Sequence, residues 1–273
     1  MTVPDLTRLI QNQESSNAYT CYHAPRYAVC LNLVRRYLVP ASTTPTTGKA
    51  ATGEAAPRVL DVGRSELTGL IHTHLRVPVD SLGFEPDGPS PGGGQHYSFD
   101  LNRAQRRETW RTGLPVYDAV VFAEVIEHLY TSPALVLQFL RTLLKPGGVL
   151  VVQTPNAVSL TRRVRLLLGL HPYDPIAEDP TAPNHFREYT RAEMERYAAA
   201  AGFAVLHAAF YNYFDLRYGF HASAKTGSRA PRWVQRIKYA LYRALPGSLK
   251  PGLTLVLQRR DAEDTEVVGT PKC

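Results

Sequence analysis

The chain has 273 residues, 44% hydrophobic and 20% charged, enough for one large domain with attachments and for a core that needs no staples. Its three cysteines (Cys21, Cys30, Cys273) are odd in number and lack metal-ligand spacing, which argues against a disulfide framework or zinc site and makes a reducing cytoplasm the default. The net charge of +7 is local: residues 216–260 carry ten Lys or Arg and no Asp or Glu, leaving 21 basic against 24 acidic residues elsewhere, the pattern of one anionic contact surface and not of a nucleic-acid coat.

No apolar run approaches the ~18–20 residues of a membrane span, and MTVPDLTRLIQNQ lacks a signal-peptide pattern. Residues 1–40 read as a helical segment, with Ala28, Leu31, Val34 and Leu38 on one face and Pro25 expected to break or open the helix. ASTTPTTGKAATGEAAP at 41–57 reads as a flexible linker. From 58 the chain alternates: strand RVLDVG, helix SELTGLIHTHL, strand DSLGFE, the loop PDGPSPGGGQ, strand HYSFDL, and LNRAQRRETW as a helix start. Next come strand YDAVVFAEV and a helix from Ser132 and Pro133 to the Lys145-Pro-Gly-Gly turn, then strand VLVVQTPN. A helix with a Thr190/Glu193 capping box stops at Gly202, and strands FAVLHAAFYNYF and LTLVLQRR complete the set. The tail at 261–273 reads as disordered. Such alternation implies an α/β, doubly wound, mostly parallel sheet with helices on both faces.

The first strand ends in Asp61-Val-Gly63-Arg-Ser65-Glu-Leu67, a glycine turn feeding a helix N-terminus that favours negative groups. It is not G-x-G-x-x-G, so hydride chemistry loses its main support. Glu85 ends the second strand, with Asp80 as the competing choice, and Asp100 ends the third. Singly, each acid reads as a loop cap. Together, at the carboxyl ends of successive strands, they outline one nucleoside site.

The block YDAVVFAEVIEHLYTSPALVLQFLRTLLKPGGVLVVQTPN at 117–156 resembles the central motifs of class I S-adenosylmethionine-dependent methyltransferases, in the style of the small-molecule subgroup. VLDVG at 59–63 and NHFREYTRAEMERYAAAAGF at 184–203 match that family in order and position. The resemblance implies a seven-stranded Rossmann-like domain over 58–260, with a helical insertion at about 216–250. It also implies S-adenosyl-L-methionine as cofactor: Asp61, Gly63 and Ser65 at its methionine end, Glu85 on the ribose, Asp100 and Leu101 on the adenine, Ala123 and Glu124 beside the sulfonium. The family usually has glycines where Ser65 and Leu67 stand, so a silent binding module that kept the fold is the rival reading.

Methyl transfer from a sulfonium needs alignment and exclusion of water, and needs a base only if the acceptor must lose a proton. FAEV carries neither the Asn/Asp-Pro-Pro-aromatic signature of amino methylation nor a Pro-Cys nucleophile. By elimination, and as the resemblance to the small-molecule subgroup implies, the expected acceptor is an oxygen on a small molecule or a glycan intermediate, or a lipid-linked one if the basic helix below meets a membrane. His128 and His185 are the candidate bases; Asn156, Arg163 and Tyr173 are candidate acceptor contacts. His72 and His74, two apart, share no helix face. RWVQRIKYALYRAL at 232–245 sets an apolar stripe of Trp233, Val234, Ile237, Leu241, Ala244 and Leu245 among basic residues. That is either a lid packed on the core or a helix for an anionic membrane or a phosphate-bearing acceptor, the latter making this a peripheral membrane or anionic-ligand protein. Nucleic acid is not expected, since no aromatic-interleaved basic motif occurs.

Overall fold

A computed structural model describes residues 2–15, 17–38, 56–173, 175–176, 185–218 and 232–260. The expected linker, apart from its last two residues, lies outside them, as do residues 219–231 of the insertion and the tail at 261–273.

The short apolar runs form one sheet from β1 (Val59–Val62), β2 (Val79–Gly83), β3 (Gly88–Pro89), β4 (Gly93–Ser98), β5 (Tyr117–Ala123), β6 (Leu144–Pro155), β7 (Phe203–Tyr211) and β8 (Gly252–Arg259), in the order β3-β4-β2-β1-β5-β6-β8-β7. β4, β2, β1, β5 and β6 pair in parallel, and β8 runs antiparallel to both β6 and β7. The sheet has eight strands where seven are expected. The extra one lies in the stretch expected to be a loop, where Gly88 and Pro89 pair with His96 and Gln95. Two residues carry no alternation, so no periodic signal marks them. Strand order runs outward in both directions from β1 and β5, which places the switch point, and so the ligand crevice, at their carboxyl ends.

Both sheet faces are covered, as parallel strands require. Val59, Ala119, Val121, Val149 and Val151 pack beneath α1 (Val3–Gln13), α2 (Ala18–Leu38) and α3 (Glu66–Leu75). Leu60, Val62, Val120, Phe122, Leu150 and Val152 pack against α4 (Pro133–Thr142) and α6 (Arg191–Ala200). α6 begins with the anticipated reciprocal cap: Thr190 Oγ1 accepts from Glu193 N, and Thr190 N donates to the Glu193 carboxylate. Ser132 occupies the cap position of α4 but makes no side-chain bond there. LNRAQRRETW forms two 3-10 turns, Leu101–Gln105 and Arg107–Thr109, where a helix start is expected. The helices α5 (Leu160–Leu167) and α7 (Arg232–Ala244) complete the described α-helices. No helix among the described residues is long and apolar enough to cross a membrane.

Pro25 does not break its helix. α2 runs unbroken through it from Ala18 to Leu38. A proline cannot donate to the carbonyl four residues back, here that of Cys21. Gln11 of α1 supplies the missing donor, its Nε2 lying 3.2 Å from Cys21 O. A long-range side chain thus satisfies a group that local rules leave orphaned. Cys21 and Cys30, on this same helix, are buried free thiols.

Candidate active site

The carboxyl ends of β1 and β5 open into a cavity of about 590 Å³. Its floor is Gly63, Ser65, Ala123, Glu124 and Val125; His128, Pro155, Asn156 and His185 stand to one side, and α2 roofs it with Tyr19, Tyr22, His23, Arg26 and Tyr27.

Gly63 follows β1 with φ +98°, and a Cβ there would lie 2.8 Å from Val125 Cγ2. Only glycine fits that backbone. Ser65 caps α3, accepting from Leu67 N at 3.2 Å, while its own N donates to Thr68 Oγ1 at 3.1 Å. Leu67 does not reach the cavity; it is buried beneath α2 in the core. Asp61 is wholly buried and accepts from the Thr68 hydroxyl at 2.6 Å. Burial pushes its carboxyl up to about 7, against the opposing pull of Thr68 and Arg26.

Glu124 takes φ +55°, a left-handed conformation that a residue other than glycine adopts at a cost. Its carboxylate is held by Arg26 of α2, Nη1 to Oε2 3.2 Å, while Oε1 has no hydrogen-bond partner among the described residues. Burial pushes the Glu124 carboxyl up and Arg26 restrains the rise. His23, one turn before Arg26, is pushed down to about 3 by burial and by the Arg26 charge, and is neutral.

At the far ends of β2 and β4, the Glu85 side chain is half-exposed with its carboxylate 3.5 Å from His96 Nε2. Asp100 accepts from Asn102 N at 2.9 Å, and Leu101 is buried in the core. These three lie outside the cavity walls. Asp80, the rival to Glu85, is spent below: it accepts from Arg58, Tyr117 Oη and Gln95 N.

The two histidines meet. His128 closes the turn Ile126–His128 after β5, and its ring lies edge to face with that of His185, centroids 4.8 Å apart. His185 Nδ1 is 3.1 Å from Glu188 Oε1, and Arg162 grips the same carboxylate. Burial raises the Glu188 carboxyl, but the His185 and Arg162 hydrogen bonds outweigh it and leave the group below its ordinary value. Arg162 lines the cavity; Arg163 beside it is exposed and donates to Val158 O. Tyr173 stacks against the Arg162 guanidinium, 5.3 Å away, outside the cavity. Asn156 lines the cavity with its amide fully used, donating to Ser248 O and Lys250 O and accepting from Val158 N. Arg26 and Arg162 carry no local motif; Glu127 and Glu188 fall inside the 117–156 and 184–203 blocks that carry the resemblance, without being singled out there.

These residues fit a sulfonium nucleoside. A glycine brings backbone to the cavity, and the buried Oε1 of Glu124 there has no hydrogen-bond partner among the described residues. Residues 33–208 match the family described as methyltransferase domain. The chain is 33% identical over 108 residues to a probable S-adenosylmethionine-dependent methyltransferase of Mycolicibacterium smegmatis, covering 37% of each chain. It is 33% identical over 138 residues to the mitochondrial ubiquinone biosynthesis O-methyltransferase of Rattus norvegicus, covering 47% of this chain and 38% of that one. The matches thus span under two-fifths of either relative. The fold is shared with the solved [4+2]-cyclase SpnF at 14% identity and TM-score 0.51, over 94% of both chains. The chain belongs to the family described as methyltransferase domain.

Proposed function

We propose that this chain transfers a methyl group to a hydroxyl oxygen of a small molecule, with the acceptor held between α2 and the His128–His185 pair. S-adenosylmethionine supplies a methyl group already activated as a sulfonium. Gly63 and Ser65, which line the cavity, would hold its methionine end, and Glu85, Asp100 and Leu101, which lie outside the cavity walls at the neighbouring strand ends, are assigned to the ribose and adenine. Ala123 and Glu124 face the sulfonium, where the carboxylate favours positive charge.

The observation that carries the oxygen reading is the hydrogen-bonded series His185–Glu188–Arg162 on the cavity wall. An imidazole fixed through Nδ1 by a carboxylate keeps Nε2 for a proton, as a general base requires. A sulfur, a thiolate or a free amine needs no such group. The rat relative's name, an O-methyltransferase, agrees with this choice. Asn156 braces the wall through its main-chain bonds, and Arg163 and Tyr173 act through Arg162 and its loop. His185→Ala should lower turnover on phenolic acceptors by about 10²–10⁴ while leaving donor affinity unchanged. Undiminished turnover, or transfer to amines or carbon alone, would overturn the oxygen reading.

A second reading concerns where the acceptor comes from. Leu166, Leu167 and Leu168 are exposed at the end of α5, Leu167 at 86%. Trp233, Ile237 and Leu241 are exposed on α7, and Thr161 Oγ1 joins Tyr242 Oη at 2.8 Å, tying the two helices together at the cavity. Arg163, Arg236 and Arg243 flank this apolar face and are themselves exposed. Apolar residues framed by cations suit an anionic bilayer surface. An acceptor drawn from that surface would enter beside Thr161 and Tyr242.

A further inference from the structure

Glu127 lines the cavity from the turn that follows β5. Its side chain is wholly buried; Oε2 accepts from the Thr154 hydroxyl at 3.1 Å, and Oε1 has no hydrogen-bond partner among the described residues. A buried carboxylate without compensation is strongly destabilising, and Arg26 is already engaged by Glu124. The Glu127 carbonyl accepts from Phe186 N and Arg187 N, so the loop carrying His185 is tied to the turn carrying His128. As a result, one ligand atom each from Glu127, His128 and His185 lies within 4.8 Å of the others.

We propose that Glu127, His128 and His185 hold a first-row divalent cation at the acceptor end of the cavity. Two imidazoles and one carboxylate suit Zn²⁺, Mn²⁺, Fe²⁺ or Co²⁺ better than the all-oxygen preferences of Mg²⁺ and Ca²⁺. Three protein ligands facing a cavity leave positions open, as catalytic sites do and structural ones do not. The outer shell is present as well. Glu188 takes the Nδ1 side of His185 and Arg162 fixes Glu188, the arrangement that orients a histidine ligand through its second nitrogen.

The consequence for chemistry rests on the oxygen reading; the binding does not. A cation here lowers the pKa of an acceptor hydroxyl brought beside it. The hydroxyl proton leaves to water, the oxygen lone pair forms the O–CH₃ bond, and the donor C–S bond breaks to a neutral thioether. His128 and His185 then act as ligands, and His185 is the base only while the cation is absent.

The test uses the full chain stripped with chelator and dialysed free of it. Titration with Co²⁺ followed by visible absorption, and with Zn²⁺ followed by calorimetry, should show saturable binding of one ion per chain. His185→Ala at the cavity mouth and Glu127→Gln beneath it should each abolish saturation, and Glu188→Gln should weaken it by about 10–100-fold. S-adenosylmethionine titrated into the same variants reports on their folding and on the donor site separately. Binding that is not saturable, or that survives His185→Ala and Glu127→Gln unchanged in variants that still bind donor, overturns the proposal. Cation binding with no donor binding would instead sink the methyl-transfer reading and leave the cation site standing.

Discussion

The guanidinium of Arg26, on the helix that roofs the cavity, lies 3.2 Å from the carboxylate of Glu124 at the end of β5, and both side chains are nearly buried. This pair joins the N-terminal helices to the carboxyl end of the sheet. Gln153 strengthens the joint by donating from Nε2 to Arg26 O at 3.2 Å. The ion pair thus lies beside the cavity wall that α2 forms with Tyr19, Tyr22, His23 and Tyr27.

Removing one partner of such a pair leaves a buried charge alone. Arg26→Met should destabilise the protein by about 3–5 kcal/mol, and adding Glu124→Gln should restore much of that loss. Urea denaturation of the two variants measures both. Equal stability of Arg26→Met and the native chain would mean that the pair contributes nothing.

Much of the fold was legible because its signals are local. The Thr190/Glu193 capping box, the alternation from Val59 onward and the apolar run at 149–152 each need only neighbours in sequence. The turn at Gly63 reads from the sequence as a glycine just past a strand, a weak signal by itself, and the structure gives it φ +98°. What stayed hidden depends on distant partners. Pro25 reads as a breaker until Gln11 is seen to satisfy the Cys21 carbonyl. Arg26 sits in an apolar helix with no acid in reach along the chain; Glu124 meets it only in the folded protein. Glu188 acquires meaning only when Arg162 and His185 converge on it. Leu67, set where the family usually has glycine, packs into the core beneath α2 instead of entering the cavity.

Asp61 makes stability depend on pH. Its carboxyl is raised to about 7 in the folded protein from an ordinary value of 3.8, chiefly by burial. The folded state therefore keeps a proton that the unfolded state loses between those values. Stability contributed by that proton is fully present below pH ~4 and is lost as pH rises toward ~7. Asp61→Asn, which can still accept from Thr68, should flatten that slope. Thermal melts of both proteins from pH 5 to pH 8 check it; parallel curves would contradict the assignment.

The α5–α7 face predicts salt-dependent sedimentation with vesicles containing phosphatidylserine. Leu167→Glu combined with Ile237→Glu should abolish binding at low salt, and native binding should fall as ionic strength rises. Native protein that stays in the supernatant at low salt would remove the membrane reading and leave the cavity chemistry untouched.

The most direct test of the central claim is calorimetric titration of S-adenosylmethionine into the native chain and into Gly63→Ala. The native chain should bind with micromolar affinity. Gly63→Ala, which places a Cβ 2.8 Å from Val125 Cγ2 on a backbone at φ +98°, should bind weaker by about tenfold or more, ~1.4 kcal/mol. No binding by the native chain up to millimolar donor, or equal binding by both, would contradict a donor site at the ends of β1 and β5.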